Sequence, residues 1–139
     1  MYIVLDTNVL VAGLLSSFGP CGHIVRMVSS GELTLSFDAR ILGEYEEVLY
    51  RPKFKFEKDK VTAFLDHIEH SGFVTASSPL SRSLPDIDDD PFLEVAIAAQ
   101  AICIVTGNQI HFPSEFCQGI KVFAPADFLA FYRKHITSA

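Results

Sequence analysis

The residues best equipped for chemistry carry oxygen and stand at the ends of apolar runs. Asp6, Thr7 and Asn8 follow directly on Tyr2-Ile3-Val4-Leu5. Thr106-Gly107-Asn108 follows Ile102-Cys103-Ile104-Val105 in the same way. Glu44 lies early in a segment of helical pattern, and Asp90 immediately precedes Pro91 and a long apolar stretch. In an open parallel sheet, ligands bind beyond the carboxyl ends of the strands, so acids placed there have a positional reason to act. Carboxylates gathered in one small site repel each other unless a cation neutralises them. Hard divalent ions take oxygen ligands, so the pattern points to Mg²⁺ or Mn²⁺ and to phosphodiester chemistry. Zinc draws on clustered Cys or His, and the sequence has no such cluster.

The elements that must position these groups can be read from periodicity. Residues 2–5 form a short buried strand, followed by a helix from about Val9 to Leu15. A second helix covers 21–30, with Gly31 as its stop, and Leu33–Ser36 is a second strand. Asp38 caps a helix from about Ala39 to Tyr50, which ends before Pro52. On that helix Leu42, Val48 and Leu49 are expected to face the core. Glu57–Ser71 is helical, and Phe73-Val74 is a short strand. Residues 75–88 are polar, with several prolines, and read as a surface loop. Phe92 to Ala101 is apolar nearly all round, the mark of a buried helix, with Pro91 in its first turn. Ile102–Val105 and Ile120–Phe123 are further strands, and Pro125–His135 is a last helix. Strands and helices alternate, so the fold class is α/β, a mainly parallel sheet covered on both faces.

The 139 residues are 49% hydrophobic, enough for one domain over 1–139 with a substantial core. No apolar run reaches the ~20 residues that span a bilayer, so no membrane association is expected. No signal peptide is indicated. Cys21, Cys103 and Cys117 are odd in number and form no CxxC pair, which suits a reducing, cytoplasmic setting. The net charge of −6 argues against a basic nucleic-acid-binding module. The acids are uneven, however: Asp86, Asp88, Asp89, Asp90 and Glu94 crowd one stretch. If metal ions neutralise such a cluster, net charge misleads about the substrate. Arg51, Lys53, Lys55, Lys58 and Lys60 form a basic stretch around Phe54 and Phe56. It reads either as a solvated loop or as a rim that guides phosphates and offers stacking partners.

In order along the chain, Leu5-Asp6-Thr7-Asn8-Val9, Ile41-Leu42-Gly43-Glu44-Tyr45, Asp88-Asp89-Asp90-Pro91-Phe92-Leu93 and Val105-Thr106-Gly107-Asn108 resemble the motifs of the PIN-domain nucleases. The likeness is greatest to the toxin components of prokaryotic toxin–antitoxin pairs. The resemblance implies a three-layer α/β/α sandwich and an acidic pocket for one or two Mg²⁺ or Mn²⁺ ions. It implies an endoribonuclease acting on RNA, with a cognate antitoxin as protein partner and dimerisation with a second copy. Carried over, Asp6 is the first metal ligand, Asn8 its hydrogen-bonding organiser, Glu44 the second acid and Asp90 the third. Asn108 stands where the wider family has an aspartate, which removes one charge and weakens that ligand.

Plainer readings compete at each position. Asp6 could cap the following helix, and Asp90 could cap its own, leaving Asp89 or Asp88 to face the metal. Glu46 and Glu47 compete with Glu44. Thr7 and Thr106 either hold loop backbones or ligate, and Asp86 reads as a solvated loop acid. His111 reads as a loop histidine or as a contact to substrate phosphate, beside Arg51, Lys53 and Lys55. A non-catalytic regulatory domain of the same fold is the main rival reading, favoured by Asn108. A phosphoryl-accepting α/β domain is the other, and it lacks a lysine at the strand ends.

Overall fold

The computed structural model describes residues 2–136; Met1 and residues 137–139, the extreme ends of the single domain expected from the sequence, lie outside the described residues. The chain opens with β1 (Tyr2–Leu5), whose last three residues are buried. It continues through α1 (Thr7–Leu15), α2 (Pro20–Ser29), β2 (Thr34–Phe37), α3 (Ala39–Leu49), α4 (Lys58–Ser71) and β3 (Phe73–Val74). Then come α5 (Asp90–Ala98), β4 (Cys103–Val105), β5 (Lys121–Phe123) and α6 (Pro125–Ile136). The strands form one sheet in the order β3-β2-β1-β4-β5, and every pairing is parallel. This is the α/β fold expected from the alternation of elements. Buried on both faces, such strands need continuous apolar runs, which is why Ile3-Val4-Leu5 and Cys103-Ile104-Val105 carry no alternation.

Right-handed crossovers place α1 to α4 on one face, while the chain steps from β1 to β2 to β3. The return from β3 to β4 runs the other way and carries α5 to the opposite face, where it packs on β1, β2 and β4. The direction of travel therefore reverses beside β1. Leu5 pairs with Val105 there, and the Asp6 amide donates to the Val105 carbonyl at 2.9 Å. A reversal of this kind leaves a crevice at the carboxyl ends of the two central strands, which is where Asp6 and Thr106 emerge.

Several boundaries and faces differ from the sequence expectation. The first helix starts at Thr7, because Asp6 itself takes the N-cap position. Its Gly13 is a point of close approach: a Cβ there would lie 2.5 Å from Val25 Cγ2 and 2.6 Å from the Cys21 carbonyl. Asp38 caps α3 as expected, accepting from the amides of Arg40 and Ile41 at 3.0 and 3.1 Å. The inward face of α3 is Ile41, Tyr45 and Leu49, one turn apart, whereas Leu42 and Val48 are only half-buried. The fifth helix runs Asp90–Ala98 rather than to Ala101. It ends in a Schellman closure, with Gln100 at φ 51° and the Ala101 amide returning to the Ala96 carbonyl at 2.9 Å. Among the described residues no single helix is long and apolar enough to cross a membrane.

Candidate metal centre

Asp6 is buried, and its carboxylate does not cap α1. Instead Oδ2 accepts from the Thr106 hydroxyl at 2.8 Å and from the Asn8 side-chain amide at 3.3 Å. Asn8 is itself tethered, since its Oδ1 accepts from the Gly107 amide at 2.9 Å. Thr106 Oγ1 also accepts from the Asn108 amide at 3.0 Å. The loop after β4 is thus wired to the loop after β1, and both threonine and asparagine act as braces. Burial raises the Asp6 pKa, opposed by the Thr106 and Asn8 hydrogen bonds, the Thr7 amide and His111.

Glu44 reaches the same place from α3. It accepts from the Thr7 hydroxyl, and so joins the first turn of α1. Glu46 is exposed and Glu47 pairs with Arg51 at 2.9 Å, so Glu44 is the acid of this helix that meets the centre. Its neighbour Tyr45 is fully buried and donates from Oη to the Leu5 carbonyl at 2.6 Å. That strut ties α3 to the last residue before Asp6. Burial pushes the Glu44 carboxyl up, and the nearby Asp6, Glu47 and Asp88 charges push it further against the Thr7 hydrogen bond. Burial, then the Asp6 and Glu44 charges, hold the Tyr45 phenol well above its ordinary value.

The third acid expected from the sequence, Asp90, has one of its oxygens engaged by a backbone amide. Asp90 is buried, and its Oδ1 accepts from the Leu84 amide at 2.9 Å. One turn on, Glu94 does the same for the Leu80 amide at 3.1 Å, and it pairs with Arg40 at 2.7 Å. These two carboxylates pin the 75–88 loop onto α5. Asp89, one residue earlier, faces the centre. Its Oδ2 lies 2.9 Å from His111 Nδ1, and its carboxyl is raised to about 6 by burial and by the Asp6 charge, against the pull of His111. The reason is local. Ile87–Asp89 is a 3₁₀ turn that leads into the helix, so consecutive aspartates point in different directions and meet different partners.

Two residues carry more than the sequence suggested. In a 3₁₀ turn residues three apart eclipse, so Asp86 comes round beside Asp89. Asp86, Asp89 and His111 each present a ligand atom within 4.8 Å of the others. His111 is no free loop histidine, because it pairs with Asp89. The spacing of Asp86 and Asp89 was the available signal for the first of these. Nothing in the sequence links residue 89 to residue 111. Asn108 is exposed at the mouth of the centre and is held there through its amide.

Of the basic stretch, Arg51, Lys53 and Lys55 lie on the turn after α3, and Lys58 and Lys60 lie in the first turn of α4. Arg51 is paired with Glu47, Lys53 Nζ stands 5.0 Å above the Phe54 ring, and Lys55 takes the left-handed conformation at φ 56°. Phe54 lines an open groove that Thr7, Asn8 and Glu44 also line, so this turn and the acidic centre share one surface.

A family model described as "PIN domain" matches residues 2–110. That span contains Asp6, Glu44, Asp89, Asp90 and Asn108, and it stops one residue before His111. No curated protein matches the chain.

Proposed function

The chain belongs to the PIN-domain family, a family of metal-dependent nucleases, and on that premise we propose that it is an endoribonuclease that uses Mg²⁺ or Mn²⁺. The observation that carries the reading is that Asp6, Glu44 and Asp89, from separate elements, are near enough for the Asp6 charge to act on the other two, beside the Asp86, Asp89 and His111 ligand atoms that lie within 4.8 Å of one another. Burial raises all three, and the Asp6 charge raises the other two. Among the described residues no lysine or arginine pairs with any of them. Such a set is electrostatically incomplete by itself. All-oxygen donors with a lone imidazole at the edge fit a hard or borderline divalent ion, and no thiol is present to favour zinc.

Asp6, Glu44 and Asp89 would hold the ion, with Asn108 as a neutral oxygen donor at the mouth. Bound there, a divalent cation supplies an activated water and stabilises charge on the phosphate and leaving oxygen. Thr106, Asn8 and Thr7 fix the carboxylates so that they need not reorganise on binding. His111 holds Asp89 in place at the edge of the centre.

The likeness to toxin components supports a further part of the reading: RNA as substrate, a cognate antitoxin and a second copy as protein partners, and a cytoplasmic setting consistent with three free cysteines. The rival reading, a regulatory domain without catalysis, is favoured by Asn108 in place of an acid. Cleavage of a mixed single-stranded RNA pool in Mn²⁺, Mg²⁺ and EDTA, beside Asp6→Asn, separates the two. Cleavage that needs the ion and is lost in the variant supports the nuclease. A folded protein that cleaves in no condition supports the regulatory domain.

A further inference from the structure

Beside the acids, α1 presents Asn8, Val11, Ala12 and Leu15, the spacing of one helical face. Asn8, Ala12 and Leu15 of that face are exposed, and Val11 is half-buried against the core. The face forms one wall of a groove of about 460 Å³, with Val48 from α3 and Phe54 from the next turn as the other wall. Val48 lies one turn beyond Glu44, so the groove begins at the acids and runs away from them along both helices. Leu15 is 59% exposed at its edge.

We propose that this groove is a nucleobase subsite, in which the base next to the scissile phosphate of single-stranded RNA packs between α1 and Phe54. The inference rests on the nuclease reading of the centre and adds to it where the substrate lies. Three features favour an RNA base over a protein side chain as occupant. The groove is continuous with the acids, since Thr7, Asn8 and Glu44 line both. A cationic side chain stands at its aromatic wall: Lys53 Nζ lies over the Phe54 ring at 5.0 Å, and Phe56 stacks on the same ring with centroids 5.6 Å apart. A group that is flat and apolar yet joined to phosphates matches walls of that kind. Asn8 spends its carbonyl on Gly107 and one amide hydrogen on Asp6, so the contact with the base rests chiefly on the apolar walls. The subsite therefore accepts any base and rejects a missing one. A duplex cannot supply a free base, which makes single-stranded substrate the expected class.

The chain contains no tryptophan, so Phe54→Trp places a sole indole in the groove. In an Asp6→Asn background that leaves RNA intact, a short single-stranded oligoribonucleotide in Mg²⁺ is expected to quench that indole saturably. A sugar–phosphate chain of the same length, abasic throughout, is expected to bind about 5- to 100-fold more weakly. With the active protein, Phe54→Ala is expected to lower kcat/KM over the same range, with the loss falling on KM, and Phe54→Trp to restore it. Circular dichroism of both variants controls for folding. If wild type cleaves RNA but the indole is not quenched, or is quenched equally by the abasic chain, the subsite is wrong while the nuclease stands. A KM unmoved in Phe54→Ala also rules out the subsite and leaves the nuclease standing. If wild type neither binds nor cleaves RNA, the nuclease reading falls and the subsite with it. An indole that responds only to a protein partner assigns the groove to protein binding and overturns the proposal.

Discussion

Replacing Asp89 by Asn makes the metal-free protein more stable while destroying its response to divalent ions. The folded protein holds this carboxyl at about 6 against an ordinary 3.8. A group whose acid form is favoured by folding costs nothing below its unfolded value and its full penalty above its folded one. For Asp89 the penalty therefore grows between about pH 4 and pH 6 and is complete at neutral pH. A rise of that size corresponds to about 3 kcal/mol at most. The side chain is 13% exposed, so solvent screening trims this only in part, and about 1–2 kcal/mol is a reasonable net gain. Asparagine copies the protonated acid in shape and can still meet His111. Urea unfolding in EDTA at about pH 8 should show the variant more stable by that amount, and at about pH 4 the two proteins should coincide. Saturating Mn²⁺ at a hundred times its Kd should add about 2.7 kcal/mol to wild type and almost nothing to the variant. A variant no more stable than wild type at about pH 8, or a gain that survives at about pH 4, would refute the electrostatic account. An intact Mn²⁺ response would move the ligand from Asp89 to a neighbour.

Asp90→Ala should behave in the opposite way, losing about 1–3 kcal/mol with and without metal because the Leu84 amide is left buried and unpaired, while the Mn²⁺ increment persists; the same unfolding series reads it. Thr106→Val removes both the donor to Asp6 and the acceptor of the Asn108 amide, so it should cost about 1–3 kcal/mol. It should also raise the Asp6 carboxyl further, so that Mn²⁺ affinity measured by calorimetry falls most steeply on the acid side. Asn108→Asp adds a charge at the mouth of the centre; Mn²⁺ should bind several-fold more tightly, and stability in EDTA should fall. Unchanged affinity in that variant would place residue 108 outside the ligand set.

What the chain settles by itself is the sequence of elements and their local chemistry. Short apolar runs rich in β-branched residues read as buried strands, which leaves Asp6 and Thr106 at strand ends. Asp38 and Pro91 mark their helix starts through backbone valence alone, one by accepting from orphan amides and one by lacking an amide. The four motifs in order were enough to point to the family. The inward face of α3 was not legible, because Ile41, Leu42, Tyr45, Val48 and Leu49 are all apolar enough to be buried. Tyr45 was chosen by a carbonyl at the end of β1, within reach of its hydroxyl. The choice among Asp88, Asp89 and Asp90 belongs to tertiary structure for the same reason. Adjacent aspartates are chemically equivalent in a sequence, and they differ only in what each one meets. Leu84 offers an unpaired amide to Asp90, and the loop after β4 brings His111 to Asp89. Those partners come from distant stretches of chain, so the direction of each carboxylate is fixed only when α5 and the ends of β1 and β4 pack together.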